Sequence, residues 1–207
     1  MMNSLLITSR IEAPSSARIK LNNIWWGTLP VKVLHPFFVS EQEQEIDSEA
    51  ENRLIQKLSD YARDLLFDYL SKAEHSEASC VNYLKRKRFH PTIINAAIEA
   101  AKSHNFLSDS RFAELYVRSL LEAGKSRRYI IAKLRLQKIP ASLYEPVFEE
   151  YYDPEETLER LSDEIVRLCL SYGDIPLSKK KEKAFASLYR RGWELDIIHK
   201  AWKKSTE

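Results

Sequence analysis

The side chains best suited to chemistry in this 207-residue chain are basic, and they recur. Lys85-Arg86-Lys87-Arg88, Arg135 with Lys138, and Arg190-Arg191 follow Leu84, Leu134 and Leu188 in the same place, and Arg127, Arg128 and Lys133 extend the middle group. Clustered guanidinium and ammonium groups attract phosphates or carboxylates and bind them through charge-assisted hydrogen bonds, without covalent chemistry. A cation in the last turn of a helix also stabilises that helix by about 0.3–1 kcal/mol, so part of the pattern has a structural reason. Four consecutive charges at 85–88 exceed what a cap requires. Another run, Lys179-Lys180-Lys181 with Lys183, opens a helical pattern, where the macrodipole opposes it; a solvated face explains it better than an anionic partner does.

Catalytic spacing is missing. The chain has no GxxxxGK[ST] loop, GxGxxG, HExxH, GxSxG or CxxC, and His35, His75, His90, His104 and His199 lie scattered without ligand spacing. Glu149-Glu150 and Glu155-Glu156 stand at helix ends, where solvated carboxylates are ordinary. No metal, cofactor or enzymatic activity is expected. Tyr116, Tyr129, Tyr151 and Tyr152 could stack on bases, but at helical spacing they read as core.

The net charge of +2 is unevenly spread. Residues 1–75 carry 8 basic and 11 acidic side chains, residues 76–149 carry 13 and 7, and residues 150–207 carry 11 and 12. The middle is therefore the basic part, suited to a polyanion or an acidic protein face. Cys80 and Cys169 are far apart, and no signal segment precedes them, which together predict a reduced, cytoplasmic protein. No apolar run nears the roughly 20 residues that span a bilayer, so no membrane association is expected.

The elements that position the basic groups come from a repeat. Leu84, Phe89, Ile93, Ile94, Ala97 and Ile98 are spaced like Leu134, Ile139, Leu143, Tyr144, Val147 and Phe148, and like Leu188, Trp193, Ile197, Ile198, Ala201 and Trp202. Identical spacing in three stretches marks tandem copies of one helical unit. The middle unit predicts helices at about 108–123, 126–137 and 141–152; its neighbours predict 48–72, 76–87 and 91–103, then 154–171, 178–191 and 194–204. Ser76 and Ser126 are equivalent N-caps, and Ser48 with Glu51 has capping-box spacing. His90-Pro91 and Asp153-Pro154 place proline at N1.

The first forty residues differ. Leu5 to Thr8, Arg18 to Leu21 and Ile24 to Leu29 read as short strands, with Asn22-Asn23 as a two-residue turn and Trp25 or Trp26 packing on a following helix. Residues 40–47 read as an acidic linker. The predicted fold is mainly α: three tandem three-helix repeats (48–106, 107–152, 153–204) in an elongated, curved array, behind a small N-terminal β-hairpin module (1–40). A monomer is expected.

Phe106-Leu107-Ser108-Asp109-Ser110-Arg111-Phe112-Ala113, followed by Tyr116-Val117, Gly124-Lys125-Ser126 and Leu134, resembles the signature of the RecX family of recombinase regulators. The family pattern is a leucine, an acidic pair, one variable residue, then Arg-Phe-Ala; Ser108 replaces the first acid. Leu188-Tyr189-Arg190-Arg191-Gly192-Trp193 resembles the closing repeat. The glycine of that corner is present only as Gly192, with Arg88 and Lys138 in its place elsewhere. The resemblance covers about 48–204, and it implies a non-enzymatic regulator that binds the RecA recombinase and its filament on single-stranded DNA. It also implies depressed ATPase and strand exchange, with roles in recombination, DNA repair and the SOS response. Asp109, Arg111 and Phe112 match the signature and are read as structural first. Lys85, Arg86, Lys87, Arg88, Arg127, Arg128, Lys133, Arg135, Arg190 and Arg191 are the candidate partner-facing residues. A stand-alone helix-turn-helix-like module binding single- or double-stranded DNA, and a scaffold without nucleic acid, are the competing readings.

Overall fold

The computed structural model describes residues 3–10, 13–34, 37 and 40–206, so His35 lies outside the described residues. Among them are four strands, β1 (Asn3–Arg10), β2 (Ala13–Leu21), β3 (Ile24–Pro30) and β4 (Ser40–Ile46). Nine helices follow: α1 (Ser48–Leu70), α2 (Glu77–Arg86), α3 (Pro91–Ser103), α4 (Asp109–Glu122), α5 (Arg127–Leu136), α6 (Ala141–Tyr151), α7 (Pro154–Ser171), α8 (Leu177–Arg190) and α9 (Leu195–Thr206). The protein is mainly helical. It divides into two compact units, residues 1–109 and 110–207.

In the first unit the strands form one antiparallel sheet in the order β3-β2-β1-β4. Asn22 and Asn23 turn β2 into β3 with φ of 47° and 67°, the two positive values a hairpin turn matching strand twist requires. Period-two alternation sends Leu5, Ile7, Ala17, Ile19, Leu21 and Leu29 to one buried face. β4 is a correction to the linker expected at 40–47: Ser-Glu-Gln-Glu-Gln-Glu-Ile pairs with β1 as an edge strand. Its composition is poor in strand formers, but an edge strand needs only one buried anchor, here Ile46, and tolerates charge elsewhere. The expected hairpin is thus a four-stranded sheet.

That sheet shares a core with α1–α3. Gly27 in β3 makes the fit possible, because a Cβ there would stand 2.9 Å from both Leu58 on α1 and Phe89 on the α2–α3 corner. Beside it, His90 donates its backbone N–H to the Trp26 carbonyl at 2.9 Å, and the two rings stack at 4.6 Å. Trp26 therefore makes the expected packing, while Trp25 stays half-exposed.

Each helical triple has its own apolar cluster, including Leu84 in the first, Leu134 in the second and Leu188 in the third, all fully buried. Ser76 and Ser126 cap α2 and α5 by accepting the N–H of Ser79 and Ser79's counterpart Tyr129 at 3.1 and 3.2 Å. α1 differs from expectation, since its N-cap is Asp47, which accepts from Ala50 N–H at 2.7 Å. Three corners then close in one way. Phe89, Ile139 and Trp193 donate their N–H to Leu84, Leu134 and Leu188, while Arg88, Lys138 and Gly192 donate to Lys85, Arg135 and Tyr189. This double hydrogen bond is the Schellman arrangement, and it requires a left-handed residue: φ is 65° at Arg88, 60° at Lys138 and 89° at Gly192.

Glycine adopts that conformation without steric cost, whereas a side chain costs about 1–2 kcal/mol there. Gly192 has a second constraint, because a Cβ would come within 2.7 Å of the Ser126 hydroxyl. Lys138→Gly should raise unfolding free energy by about 0.5–1 kcal/mol after the larger unfolded-state entropy of glycine is counted. Gly192→Ala should lower it by about 2 kcal/mol. Urea midpoints compared at constant m-value check both, and equal midpoints for the two variants would contradict the corner geometry.

Candidate functional site

The corners place the basic residues in solvent. Lys85, Arg86, Lys87 and Arg88 end α2 and begin the turn, and all four are exposed. Lys87 lays its ammonium 5.5 Å from the Tyr83 ring centre. Lys85, Arg86 and Arg88 have no carboxylate partner among the described residues.

In the second unit the fold joins residues that are distant in sequence. Ser126, the N-cap of α5, donates its hydroxyl to the Arg191 carbonyl at 3.0 Å, seating the start of α5 on the α8–α9 corner. Arg128 therefore lies against Gly192, with its Cβ 3.7 Å from the position a Gly192 Cβ would take. Arg128 and Arg190 are both exposed, and neither has an acidic partner among the described residues. Cations in the first turn of α5 face the positive end of the helix dipole, so the local structure gains nothing from Arg128.

Other candidates are absorbed locally. Arg127 forms an ion pair with Glu145 and stacks over Phe148 at 5.0 Å. Arg191 pairs with Glu164. Lys133 is half-buried over Tyr129 at 5.4 Å, whereas Arg135 is exposed. The lysines opening α8 are also engaged: Lys181 lies over Phe185 and Trp202, Lys183 over Tyr172, and Lys179 pairs with Glu182 at 3.1 Å. That basic run has a local explanation.

Phe112 is buried and stacks on Tyr116 at 5.1 Å in the core of α4–α6, and Arg111 is half-buried. Asp109 does something the sequence hid. Its carboxylate accepts the backbone N–H of Glu77 at 2.7 Å, tying the start of α4 to the N-terminus of α2 rather than capping its own helix. Glu77 in turn pairs with Lys102 at 2.7 Å. Burial pushes the Asp109 carboxyl above its ordinary value of 3.8, against the lowering effect of the Glu77 N–H, while the Glu77 carboxylate raises it and Lys102 lowers it.

The remaining titratable groups have structural surroundings. Burial pushes the Cys80 thiol up to about 12, far from a reactive thiolate. His90 accepts from Thr92 N–H as the N-cap of α3, His75 stacks on Tyr69 at 3.9 Å, and His104 contacts the Ala100 carbonyl at 2.8 Å. No group of three or more His, Cys, Asp or Glu fit for a metal occurs among the described residues. No helix among them is long and apolar enough to cross a membrane.

Residues 108–145 match the family model described as RecX, second three-helix domain. A crystal structure of regulatory protein RecX superimposes with a TM-score of 0.65 at 18% identity, covering 96% of this chain and 98% of that one. A crystal structure of RecX from Lactobacillus salivarius gives a TM-score of 0.65 at 20% identity, covering 73% of this chain and 98% of that one. At these identities the likeness is one of fold. No curated protein matches by sequence.

The Asp109 link has a pH signature. Asp109→Ala should cost about 1 kcal/mol through the lost cap, whereas Asp109→Asn keeps an acceptor for Glu77 N–H. Because the folded-state value is raised, the folded protein holds the proton more tightly than the unfolded chain. Ionisation then lowers stability as pH climbs from 3.8 through the raised value, and the loss is constant above it. Relative to Asp109→Asn, the wild type should gain stability on acidification across that window. Paired urea titrations at pH 7 and near pH 4 would show it; a gap widening in the other direction would be inconsistent.

Proposed function

We propose that this chain, which carries the RecX second three-helix domain within a RecX fold, is a non-enzymatic regulator of a RecA recombinase. It binds RecA and its filament on single-stranded DNA and depresses ATP hydrolysis and strand exchange, in recombination, DNA repair and the SOS response of the cytoplasm. The observation that carries this reading is the seating of the start of α5, with the exposed Arg128, against the α8–α9 corner that carries the exposed Arg190, Ser126 and Arg128 lying within the segment that matches the family. Two exposed cations without acidic partners, held on a rigid corner, suit an anionic surface.

Electrostatic recognition of this kind controls association rate and register more than raw affinity. A filament repeats its surface, so a chain that touches neighbouring subunits through several modest contacts gains avidity from each. The exposed cations at Lys85, Arg86, Arg88, Arg128, Arg135 and Arg190 supply such contacts. Arg127, Arg191 and Lys133, held by Glu145, Glu164 and Tyr129, support the corners instead.

The test is DNA-stimulated ATP hydrolysis by the cognate RecA during titration with this protein. Arg128→Glu combined with Arg190→Glu should raise the half-inhibitory concentration about tenfold or more, with the helical circular dichroism unchanged. Equal potency of the double variant would refute the surface. Absence of any effect of the wild type on hydrolysis and on filament binding would refute the recombinase reading.

A further inference from the structure

A cleft of about 590 Å³ opens in the second unit between the end of α4, the length of α7 and the α8–α9 corner. α7 lines it from Thr157 to Ser171. That run of about four turns makes the cleft about 20 Å long, the span of about six residues of extended chain. Its floor is apolar: Leu161 and Trp193 are buried, and the half-buried Leu121 and Leu168 complete it.

The rim is charged, with Lys125, Arg160, Arg167 and Arg191 against two carboxylates, Glu122 and Glu164. Arg160 is committed to the fold. It pairs with Glu156 at 2.6 Å and donates to the Leu121 and Glu122 carbonyls at 3.4 Å, at the negative end of α4. Arg191 is paired with Glu164. Lys125 on the α4–α5 corner and the exposed Arg167 on α7 have no carboxylate partner among the described residues, and they belong to different walls of the cleft.

This combination selects a ligand. A floor of leucines with one buried indole offers little flat surface for bases to stack on, and Glu122 and Glu164 repel a continuous phosphate backbone. Two carboxylates flanking a bulky apolar group satisfy both unpaired cations and the floor together.

We propose that this cleft docks an acidic peptide segment of a partner protein, extended along α7, with bulky apolar side chains on Leu161 and Trp193 and flanking carboxylates at Lys125 and Arg167. The apolar anchor supplies affinity, and the charges orient the segment and reject basic ones. The contact requires neither recombinase nor nucleic acid, so it stands apart from the regulator reading.

The experiment titrates the full chain with the blocked hexapeptide acetyl-Asp-Glu-Leu-Phe-Asp-Glu-amide by calorimetry at low salt, without recombinase or DNA. The wild type should bind it, and replacing Leu-Phe by Ser-Ser, or all four acids by Lys, should each weaken binding about tenfold or more. Lys125→Glu combined with Arg167→Glu should lose affinity for the acidic peptide by a similar factor and gain it for the lysine-bearing one. Ala123→Trp, at an exposed position on the cleft wall, should block binding while leaving the charge unchanged. Lys200→Glu, an exposed cation outside the cleft, should bind as the wild type does. Helical circular dichroism and melting temperature establish that each variant is folded, and the two peptide substitutions test the cleft on unmodified protein. No binding to the wild type at millimolar peptide would overturn the proposal, as would undiminished affinity for the serine-substituted peptide or in Ala123→Trp. Oligothymidylate binding that Ala123→Trp abolishes, without peptide binding, would overturn it by assigning the cleft to nucleic acid.

Discussion

A left-handed residue four places after a buried leucine governs the corners of this protein. The leucine carbonyl must be satisfied at the end of the second helix of each triple, and the N–H of the first apolar residue of the next segment satisfies it. That single bond fixes where Phe89, Ile139 and Trp193 enter the core, and with them the direction of the third helix. It also determines what is exposed. The residues between the leucine and that apolar residue face water, and a chain that places Lys and Arg there presents cations at the negative end of the preceding helix, where they stabilise it, and to any anion outside.

Identical corner geometry does not mean identical corners, because the neighbours differ. Gly192 has the α5 N-cap pressed against it, so no Cβ fits beside the Ser126 hydroxyl. Within the second unit this contact converts a turn into a seat, and it is why Arg128 lies against Gly192 although 64 positions separate them in the sequence. In the first unit, the neighbour of the corner is the sheet. Gly27 admits Phe89, His90 bonds to Trp26, and the exposed cations at 86–88 consequently border a cleft against β3.

Periodic features were legible in the sequence, and pairwise ones were not. The leucine spacing, the equivalent caps Ser76 and Ser126, the prolines at N1 and the Asn22-Asn23 turn each depend on a few adjacent residues, so they can be read directly. β4 could not be read this way, since an edge strand of Glu and Gln has the composition of a linker and becomes a strand only because β1 offers unpaired backbone groups. The Asp109–Glu77 bond and the Arg127–Glu145 pair join residues 32 and 18 positions apart and leave no local pattern. The consequence for the candidate site is specific: Arg127 and Arg128 look equivalent in sequence, yet one is spent on Glu145 and Phe148 and the other is not.

That division shows why counting charges misjudges such a surface. An exposed ion pair is worth little to stability, about 0–1 kcal/mol, and an external anion that displaces the carboxylate gives up no more than that amount. Glu145 and Glu164 hold Arg127 and Arg191 in ion pairs, while their sequence neighbours Arg128 and Arg190 have no acidic partner among the described residues. The Ser126–Arg191 bond holds the backbone at the start of α5 against the α8–α9 corner, while the Arg128 and Arg190 side chains keep their rotamer freedom.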